Sequence, residues 1–126
     1  MINSQSEGAP YRIRFSDGQH EGFADTDATK GGKNKGFRPH ELLEAALACC
    51  ITMTAEMFAE QHGIPLCQAK TMVRLNRLSA HETIFEIKYE FDGDLTTEQT
   101  ERLRTAARAC PVSKTLSKAI RFVEVT

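Results

Sequence analysis

Two cysteine motifs are the residues of this sequence best suited to carry out chemistry. Cys49 and Cys50 are adjacent within the apolar stretch EAALACCITMTAEM at positions 44–57, and Cys110 directly precedes Pro111. A cysteine inside a helix is more often a small apolar residue of the core than a nucleophile. At the start of a helix, however, unpaired backbone N–H groups and the helix dipole favour the reactive thiolate. The two motifs could supply a reactive dithiol of the peroxidase kind, and their spacing alone leaves open whether they meet.

The remaining cysteine, the histidines and the Lys-rich loop form no pattern typical of a metal or phosphate site. Cys67 follows the turn at Pro65 and is expected to be a small apolar core residue. The histidines show no metal-ligand spacing with the cysteines, so no metal is expected. The Gly- and Lys-rich loop at 28–37 lacks the strand-then-helix setting of a phosphate loop, and its lysines are expected to be solvated.

Length and charge narrow the class of protein. The chain has 126 residues, which suits one domain, and its 16 basic and 17 acidic residues give a net charge of −1. This balance implies no attraction to nucleic acid or to an anionic membrane. The longest uncharged run, 45–55, is short for a membrane span, and the first residues lack a signal pattern. We therefore expect a cytoplasmic protein, whose four cysteines are thiols rather than a disulfide framework.

The first half of the chain predicts a hairpin followed by a long helix. Residues 1–10 are polar and are expected to form a flexible leader, with a single domain over 11–126. The alternation in YRIRF at 11–15, the turn signal SDG and the segment at 20–25 predict two strands. Pro39 then opens a helix of about 24 residues that ends at Gly63.

The second half predicts two strands, two helical segments and a last strand. The segments at 67–80 and 81–93 read as extended, the second with clear alternation. A capping box at Thr97, with Gln99 and Glu101 nearby, opens a helix over 96–110, and Pro111 opens another. Residues 120–125, IRFVEV, alternate again as a strand. The predicted fold class is α+β with a mostly antiparallel sheet.

The long central helix predicts a homodimer. Between Leu42 and Met57 nearly every position is apolar or small, so the helix is apolar around most of its circumference. One curved sheet can cover only one side of such a helix. Packing two central helices together, between two sheets, would cover the other side.

The two cysteine motifs and their surroundings resemble the OsmC/Ohr family of hydroperoxide-reducing proteins. The resemblance lies in FRPHELLEAALACCITMTAEMFAEQHGIPL, with its Pro-x-Glu-Leu-Leu-x-Ala helix, and in EFDGDLTTEQTERLRTAARACPVSKTLS, with its Cys-Pro-Val segment. It extends over nearly the whole chain, 11–125. It implies an intertwined homodimer in which two six-stranded sheets wrap two central helices, with active sites at the dimer interface.

The resemblance also implies roles for the cysteines. Cys50, eleven residues after Pro39, falls on the peroxidatic cysteine, and Cys110 falls on the resolving cysteine. Cys50 would reduce an organic hydroperoxide and become a sulfenic acid, Cys110 would form a disulfide with it, and an external dithiol, on a lipoyl protein or a thioredoxin-like protein, would reduce the pair. No metal, haem or flavin cofactor is implied. Cys49 is expected to fill the core.

Further site residues are implied around the thiolate. In the best-studied branch of the family, an arginine of the N-terminal strands and a glutamate just after the helix-opening proline stabilise the thiolate. Here the residue after that proline is a histidine, so the candidates are Arg12, Arg14, Arg38, His40 and Glu41. The expected substrate pocket is formed by the apolar residues Met53, Met57 and Phe58. The alternative function is a binding or redox-sensing dimer that holds a small apolar ligand without efficient turnover.

Overall fold

The computed structural model describes residues 1–126 and has three α-helices and two antiparallel sheets. The predicted α+β class is confirmed. The residues group into two compact units, Met1–Leu43 and Glu44–Thr126. The elements in chain order are β1 (Asn3–Ser6), β2 (Ile13–Ser16), β3 (Glu21–Ala24), a 3₁₀ turn (Ala28–Lys30), α1 (Pro39–Gln61), β4 (Leu66–Asn76), β5 (Ile84–Gly93), α2 (Thr97–Arg108) and α3 (Pro111–Leu116).

Strand β1 lies inside the segment for which a flexible leader was predicted. It pairs antiparallel with β2, with Asn3 opposite Ser16 and Ser6 opposite Ile13. All four β1 residues are polar and exposed, so they carry no alternating apolar signal. Their strand depends on backbone pairing to the edge of β2, which the pattern of one segment cannot reveal. That the rest of the chain forms a single domain stays a prediction.

The Met1–Leu43 unit contains the predicted hairpin and a loop anchored by a buried carboxylate. Strands β2 and β3 pair antiparallel around the turn, where the Asp17 carboxylate accepts the backbone N–H groups of Gln19 and His20. Asp25 is 3% exposed and accepts N–H groups from Lys33 and Lys35 across the loop, as well as from Thr26. These donors, Lys35 first, lower the pKa of Asp25. Polar contacts therefore organise this part of the chain.

Helix α1 has 23 residues and confirms the predicted long helix. Pro39 occupies its first turn, and the Glu41 carboxylate accepts the backbone N–H of Arg38 at 2.9 Å, which satisfies one donor of the helix start. At the other end Gly63 has φ of 63°, a left-handed conformation that costs glycine little. The proline and the glycine thus set the bounds of the helix.

One stripe of α1 is buried and the opposite stripe is exposed. The buried residues recur every four positions and are Leu47, Ile51, Ala55 and Ala59. By length and composition α1 could cross a membrane, but the core helix of a soluble protein meets the same criterion. Two polar contacts to β4 favour the core helix: Glu44 accepts the N–H of Leu75 at 2.7 Å, and the Thr52 hydroxyl lies 3.0 Å from that of Thr71.

Strands β4 and β5 form a long antiparallel hairpin, as predicted. Their register runs from Leu66 opposite Gly93 to Asn76 opposite Ile84, with an irregularity between Leu66 and Gln68. The inward residues pack against the cluster that contains Leu47, Ile51 and Ala55 of α1; they are Ala69, Val73, Phe85, Ile87, Tyr89 and Phe91. The alternation predicted for β5 is confirmed, because its charged residues lie between these inward positions.

Helices α2 and α3 close the Glu44–Thr126 unit. The capping residue of α2 is Thr96, one residue before the Thr97 predicted from the sequence: its hydroxyl accepts the N–H of Gln99, whose side chain accepts the N–H of Thr96. Thr96 and Thr97 carry the same hydroxyl group, so residue type alone could not identify which of them caps the helix. Leu103 and Ala107 are buried on the inner side of α2.

The strand predicted over 120–125 does not form in this chain. These residues have no regular secondary structure, and the apolar side chains among them are exposed, Phe122 to 94%. Alternation makes a segment suited to a half-buried strand, but the strand needs a sheet edge with which to pair. Residues 120–125 pair with no sheet edge here, so the predicted strand is wrong for the single chain.

Candidate active site

The Cys110 sulfur is fully buried at the start of α3. Cys110 is the capping residue of this helix, with φ of −65° and ψ of 158°, and its Sγ accepts the backbone N–H of Ser113 at 3.4 Å. Pro111 suits the first turn because proline has no N–H that would need a hydrogen-bond partner there. A helix that begins at Pro111 places the preceding residue, Cys110, at its capping position. The predicted helix cap is confirmed.

Cys50 and Cys110 lie in the same core neighbourhood. Cys50 is half-buried on α1 and packs against the cluster that contains Cys110, and both belong to the Glu44–Thr126 unit. Burial raises the pKa of the Cys110 thiol, the N–H of Ser113 lowers it, and a side-chain hydrogen bond with Cys50 raises it again. All four cysteines of the chain are free thiols. The fold therefore brings together the two thiols that are 60 residues apart in sequence.

The surroundings of the two thiols are apolar. The buried members of the cluster around Cys110 are Leu47, Ile51, Ala55 and Ala107, and Val112 and Leu116 pack against it from α3. Such surroundings exclude water and favour the neutral thiol over the thiolate. A thiolate formed here requires hydrogen-bond donors or a positive charge close to the sulfur.

Tyr89 is the polar side chain of this neighbourhood that the sequence analysis missed. Its ring packs against the cluster, and its hydroxyl is buried without a hydrogen-bond partner. Burial raises the pKa of Tyr89, which the charges of Arg108 and Arg104 lower and that of Cys110 raises. A signal was present in the sequence: Tyr89 occupies an inward position of β5 between Ile87 and Phe91, where its polar tip must enter the core.

Cys49 and Cys67 are exposed, although the sequence predicted both as core residues. Cys49 is one position from Cys50 and so about 100° around the helix, which turns it away from the buried stripe. Cys67 lies at the irregularity between Leu66 and Gln68, at the start of β4. For both cysteines the residue type suggested burial, but the helix or strand turns the side chain toward the exposed side.

The three residues predicted to form a substrate pocket do not enclose one in this chain. Met53 and Met57 are 55% and 59% exposed on α1. Phe58 packs against a second cluster with Ala59, stacks on His62 at 4.0 Å between ring centroids, and lines a shallow groove beside α2. Their role in substrate binding stays a prediction.

The five candidate thiolate-stabilising residues belong to the Met1–Leu43 unit. Arg14 pairs with Glu7 at 2.7 Å and with Glu21 at 2.8 Å. Arg38 pairs with Glu41 at 3.1 Å and lies 3.8 Å from Asp27.

The other two of these side chains have no carboxylate partner. The Arg12 guanidinium lies over the Phe23 ring at 4.5 Å and makes no ion pair, and His40 is exposed. Arg12 is therefore the one of the three arginines without an ion pair, although its charge also helps to lower the pKa of Asp25. No group of three or more His, Cys, Asp or Glu side chains could hold a metal ion.

Comparison with known proteins gives a family and a fold. The family model described as OsmC-like protein matches residues 32–124. An OsmC-like protein from Mycoplasma pneumoniae is similar in structure, with a TM-score of 0.77 at 18% identity over 92% of this chain and 85% of that one. Two organic hydroperoxide resistance proteins each match with 93% of this chain and 88% of theirs: one from Legionella pneumophila (TM-score 0.65, 19% identity) and one from Elizabethkingia anophelis (TM-score 0.66, 18% identity). No curated protein sequence matches the chain.

Proposed function

The chain belongs to the OsmC-like family, and we propose that it is a cysteine-based peroxidase that reduces organic hydroperoxides in oxidative-stress defence. The observation that carries the proposal is the shared neighbourhood of Cys50 and Cys110, the second of which caps a helix. Hydroperoxide resistance is the function named for similar structures from Legionella pneumophila and Elizabethkingia anophelis. We also propose that the protein is cytoplasmic and needs no metal, haem or flavin cofactor.

The raised pKa of Cys110 supports an assignment of roles within the pair. A protonated Cys110 can donate its S–H to the sulfur of Cys50, which leaves Cys50 as the first nucleophile. The Cys50 thiolate attacks an oxygen of the peroxide: an S–O bond forms, the O–O bond breaks, and the alkoxide takes up a proton and leaves as an alcohol. Cys50 is then a sulfenic acid.

The second step regenerates the enzyme through Cys110. Its thiolate attacks the Cys50 sulfur, so that an S–S bond forms, the S–O bond breaks, and hydroxide leaves and is protonated to water. An external dithiol, on a lipoyl or thioredoxin-like protein, then reduces the disulfide by thiol exchange. The position of Cys110 in the same apolar cluster favours this step over further oxidation of the sulfenic acid.

A homodimer is part of the proposal. Along the exposed side of α1 the small and apolar residues recur at three- or four-residue intervals; they are Ala46, Cys49, Met53 and Met57. A second copy of the chain would cover this stripe. The chain forms five strands, and residues 120–125 would be a sixth when an edge is available. Two chains would then supply two six-stranded sheets.

Activation of the Cys50 thiolate requires a positive charge or a donor near the sulfur. Arg12 is the first candidate, because its guanidinium makes no ion pair, whereas Arg14 and Arg38 each have two carboxylate partners. We expect Arg12→Ala to slow the oxidation of Cys50, with Arg12→Lys less severe because it keeps a positive charge.

A steady-state assay tests the proposed activity directly. Purified protein with cumene hydroperoxide and dihydrolipoamide should consume many equivalents of peroxide per chain, whereas hydrogen peroxide should be a poorer substrate. The assay is repeated with a thioredoxin-like reductant. If peroxide consumption stops at one equivalent per chain with either reductant, the result would favour the alternative, a dimer that binds an apolar ligand or senses oxidants.

A further inference from the structure

The hydroxyl of Tyr89 is an unused hydrogen-bond donor within the core that holds the two thiols. The oxygen is buried and has no partner among the 126 residues described. The ring is fixed by its neighbours: the Phe91 ring lies 6.0 Å away between centroids, and the Arg104 guanidinium lies 5.8 Å from the ring centre. A buried hydroxyl without a partner destabilises a fold by its lost hydration.

Packing alone does not account for this hydroxyl. The other inward positions of β5 that face the same cluster are filled by Phe85, Ile87 and Phe91, so a phenylalanine would suit position 89 without a lost hydrogen bond. The phenolic O–H therefore stands out as a donor whose acceptor is absent from the reduced chain. An acceptor would arise wherever a neighbouring group gains negative charge.

Cys110 is the group that must gain negative charge during the proposed reaction. Burial favours its uncharged form in the resting protein by raising its pKa, but it must be a thiolate when it attacks the oxidised Cys50. Its sulfur is fully buried, and the donors that act on it are two backbone N–H groups, that of Ser113 at 3.4 Å and that of Val112. A side-chain donor in addition to these would make the buried thiolate easier to form.

We propose that the Tyr89 hydroxyl donates a hydrogen bond to the Cys110 sulfur when Cys110 ionises, and so prepares it for attack on the Cys50 sulfenic acid. The proposal rests on the proposed function for its place in the cycle. Tyr89 gives up no proton: the S–S bond forms and the S–O bond breaks as described above.

The charged groups around the pair favour this arrangement. The positive charges of Arg104 and Arg108 on α2 act on Tyr89, and both favour negative charge in the neighbourhood. Two titratable groups interact with Cys110: Cys50 on α1 and Tyr89 itself on β5. The neighbours from β4 and α3 are uncharged; they are Ala69, Val73, Val112 and Leu116.

The first test measures the Cys110 thiol without any peroxide. In a background with Cys49, Cys50 and Cys67 replaced by alanine, the Cβ chemical shift of ¹³C-labelled Cys110 is followed against pH. We expect Tyr89→Phe to raise the pKa of Cys110 by about one unit, a tenfold loss of thiolate at neutral pH. Tyr11→Phe, which removes the same hydroxyl from the exposed tyrosine, is the matched control and should change nothing.

The second test measures the two steps of the reaction separately. With all cysteines present, Tyr89→Phe should slow disulfide formation about tenfold and move its pH profile upward. Formation of the sulfenic acid, trapped with dimedone in a Cys110→Ser background, should be unchanged, and the melting temperature should not fall.

The outcomes separate the two proposals. An unchanged Cys110 pKa in Tyr89→Phe overturns the role of Tyr89, as does an equal slowing of both steps with a lower melting temperature. If the protein has no peroxidase activity at all, the proposed function fails. The Cys110 pKa in the single-cysteine background still decides whether Tyr89 donates to that sulfur.

Discussion

Cys49 and Cys50 are neighbours on α1, yet the helix turns them toward different environments. Cys50 is half-buried against the cluster that contains Cys110, whereas Cys49 lies among exposed residues with Met53. The buried stripe of α1 holds the chain's own core, and the exposed stripe is covered only if another molecule binds. In the proposed function, one side of this helix serves chemistry and the other serves assembly.

The largest expected difference between the two sides is in catalysis. Cys50→Ser should abolish turnover, because a hydroxyl at this position has no adjacent base to activate it. Cys49→Ser is the matched control on the next residue and should keep turnover within about twofold, since Cys49 supplies neither thiol of the proposed pair and the substitution is small. Peroxide consumption with dihydrolipoamide measures both. Loss of activity in Cys49→Ser alone would reverse the assignment.

The next largest effect is expected on assembly. Met53→Asp places a charge in the exposed stripe and should convert the proposed dimer to a monomer at micromolar concentration, because an unpaired charge is costly to bury in an interface. The dimer of the unchanged chain should bury more than roughly 1,600 Å². Light scattering reports the mass.

Lys88→Asp is the control for charge, since Lys88 lies exposed on the other side of β5 from the core. It should leave the dimer intact. A monomeric unchanged chain, or a dimer that tolerates Met53→Asp, would contradict the role given to the exposed stripe.

The buried side of α1 should dominate the stability of the folded chain. Ile51 is fully buried, so Ile51→Ala should lower the free energy of unfolding by about 2–5 kcal/mol at any protein concentration. Met57→Ala, on the exposed side, should act mainly on association and should therefore have an effect that depends on protein concentration. Urea unfolding at two concentrations distinguishes these cases, and equal, concentration-independent losses would contradict the division.

The sequence was informative where a signal is local and uninformative where it depends on another segment. Pro39 and Gly63 mark the ends of α1, and the alternation of β5 marks its inward face. The strand β1 was missed because its four polar residues carry no apolar pattern. Conversely, 120–125 has the pattern of a strand but pairs with no edge in the single chain.

The candidate site was predictable only in part. Family resemblance singled out Cys50 and Cys110, and the fold then placed them in one cluster, which no spacing rule could establish. The Cys49 side chain is rotated by about 100° around the helix from that of Cys50 and is exposed, whereas residue type alone suggested a core position. Tyr89 was missed because its significance lies in an absent hydrogen-bond partner.

A smaller effect is expected on stability at alkaline pH. Burial raises the pKa of Cys110 in the folded chain above that of the unfolded chain, so the folded state holds this proton more tightly. The resulting stability is present below the ordinary cysteine pKa and is lost as pH rises through the folded value. One such group changes the free energy of unfolding by at most about 1.4 kcal/mol per pH unit.

Substitution can isolate this alkaline effect. Under reducing conditions, Cys110→Ala should flatten the fall in stability above about pH 8.5, whereas Cys49→Ala should leave it unchanged. Urea unfolding between pH 7 and 10 measures the slope. An equal slope in Cys110→Ala and the unchanged protein would show that the buried thiol does not set the alkaline limit.

The most direct test of the central claim is to identify the disulfide that forms after one equivalent of organic hydroperoxide. Rapid acid quenching, blocking of free thiols, proteolysis and mass spectrometry give the linked peptides. We predict that the peptide containing Cys50 is linked to the peptide containing Cys110. Because Cys49 shares the first peptide, the experiment is run in the Cys49→Ser and Cys50→Ser variants. A link that persists in Cys50→Ser and is lost in Cys49→Ser would contradict the account.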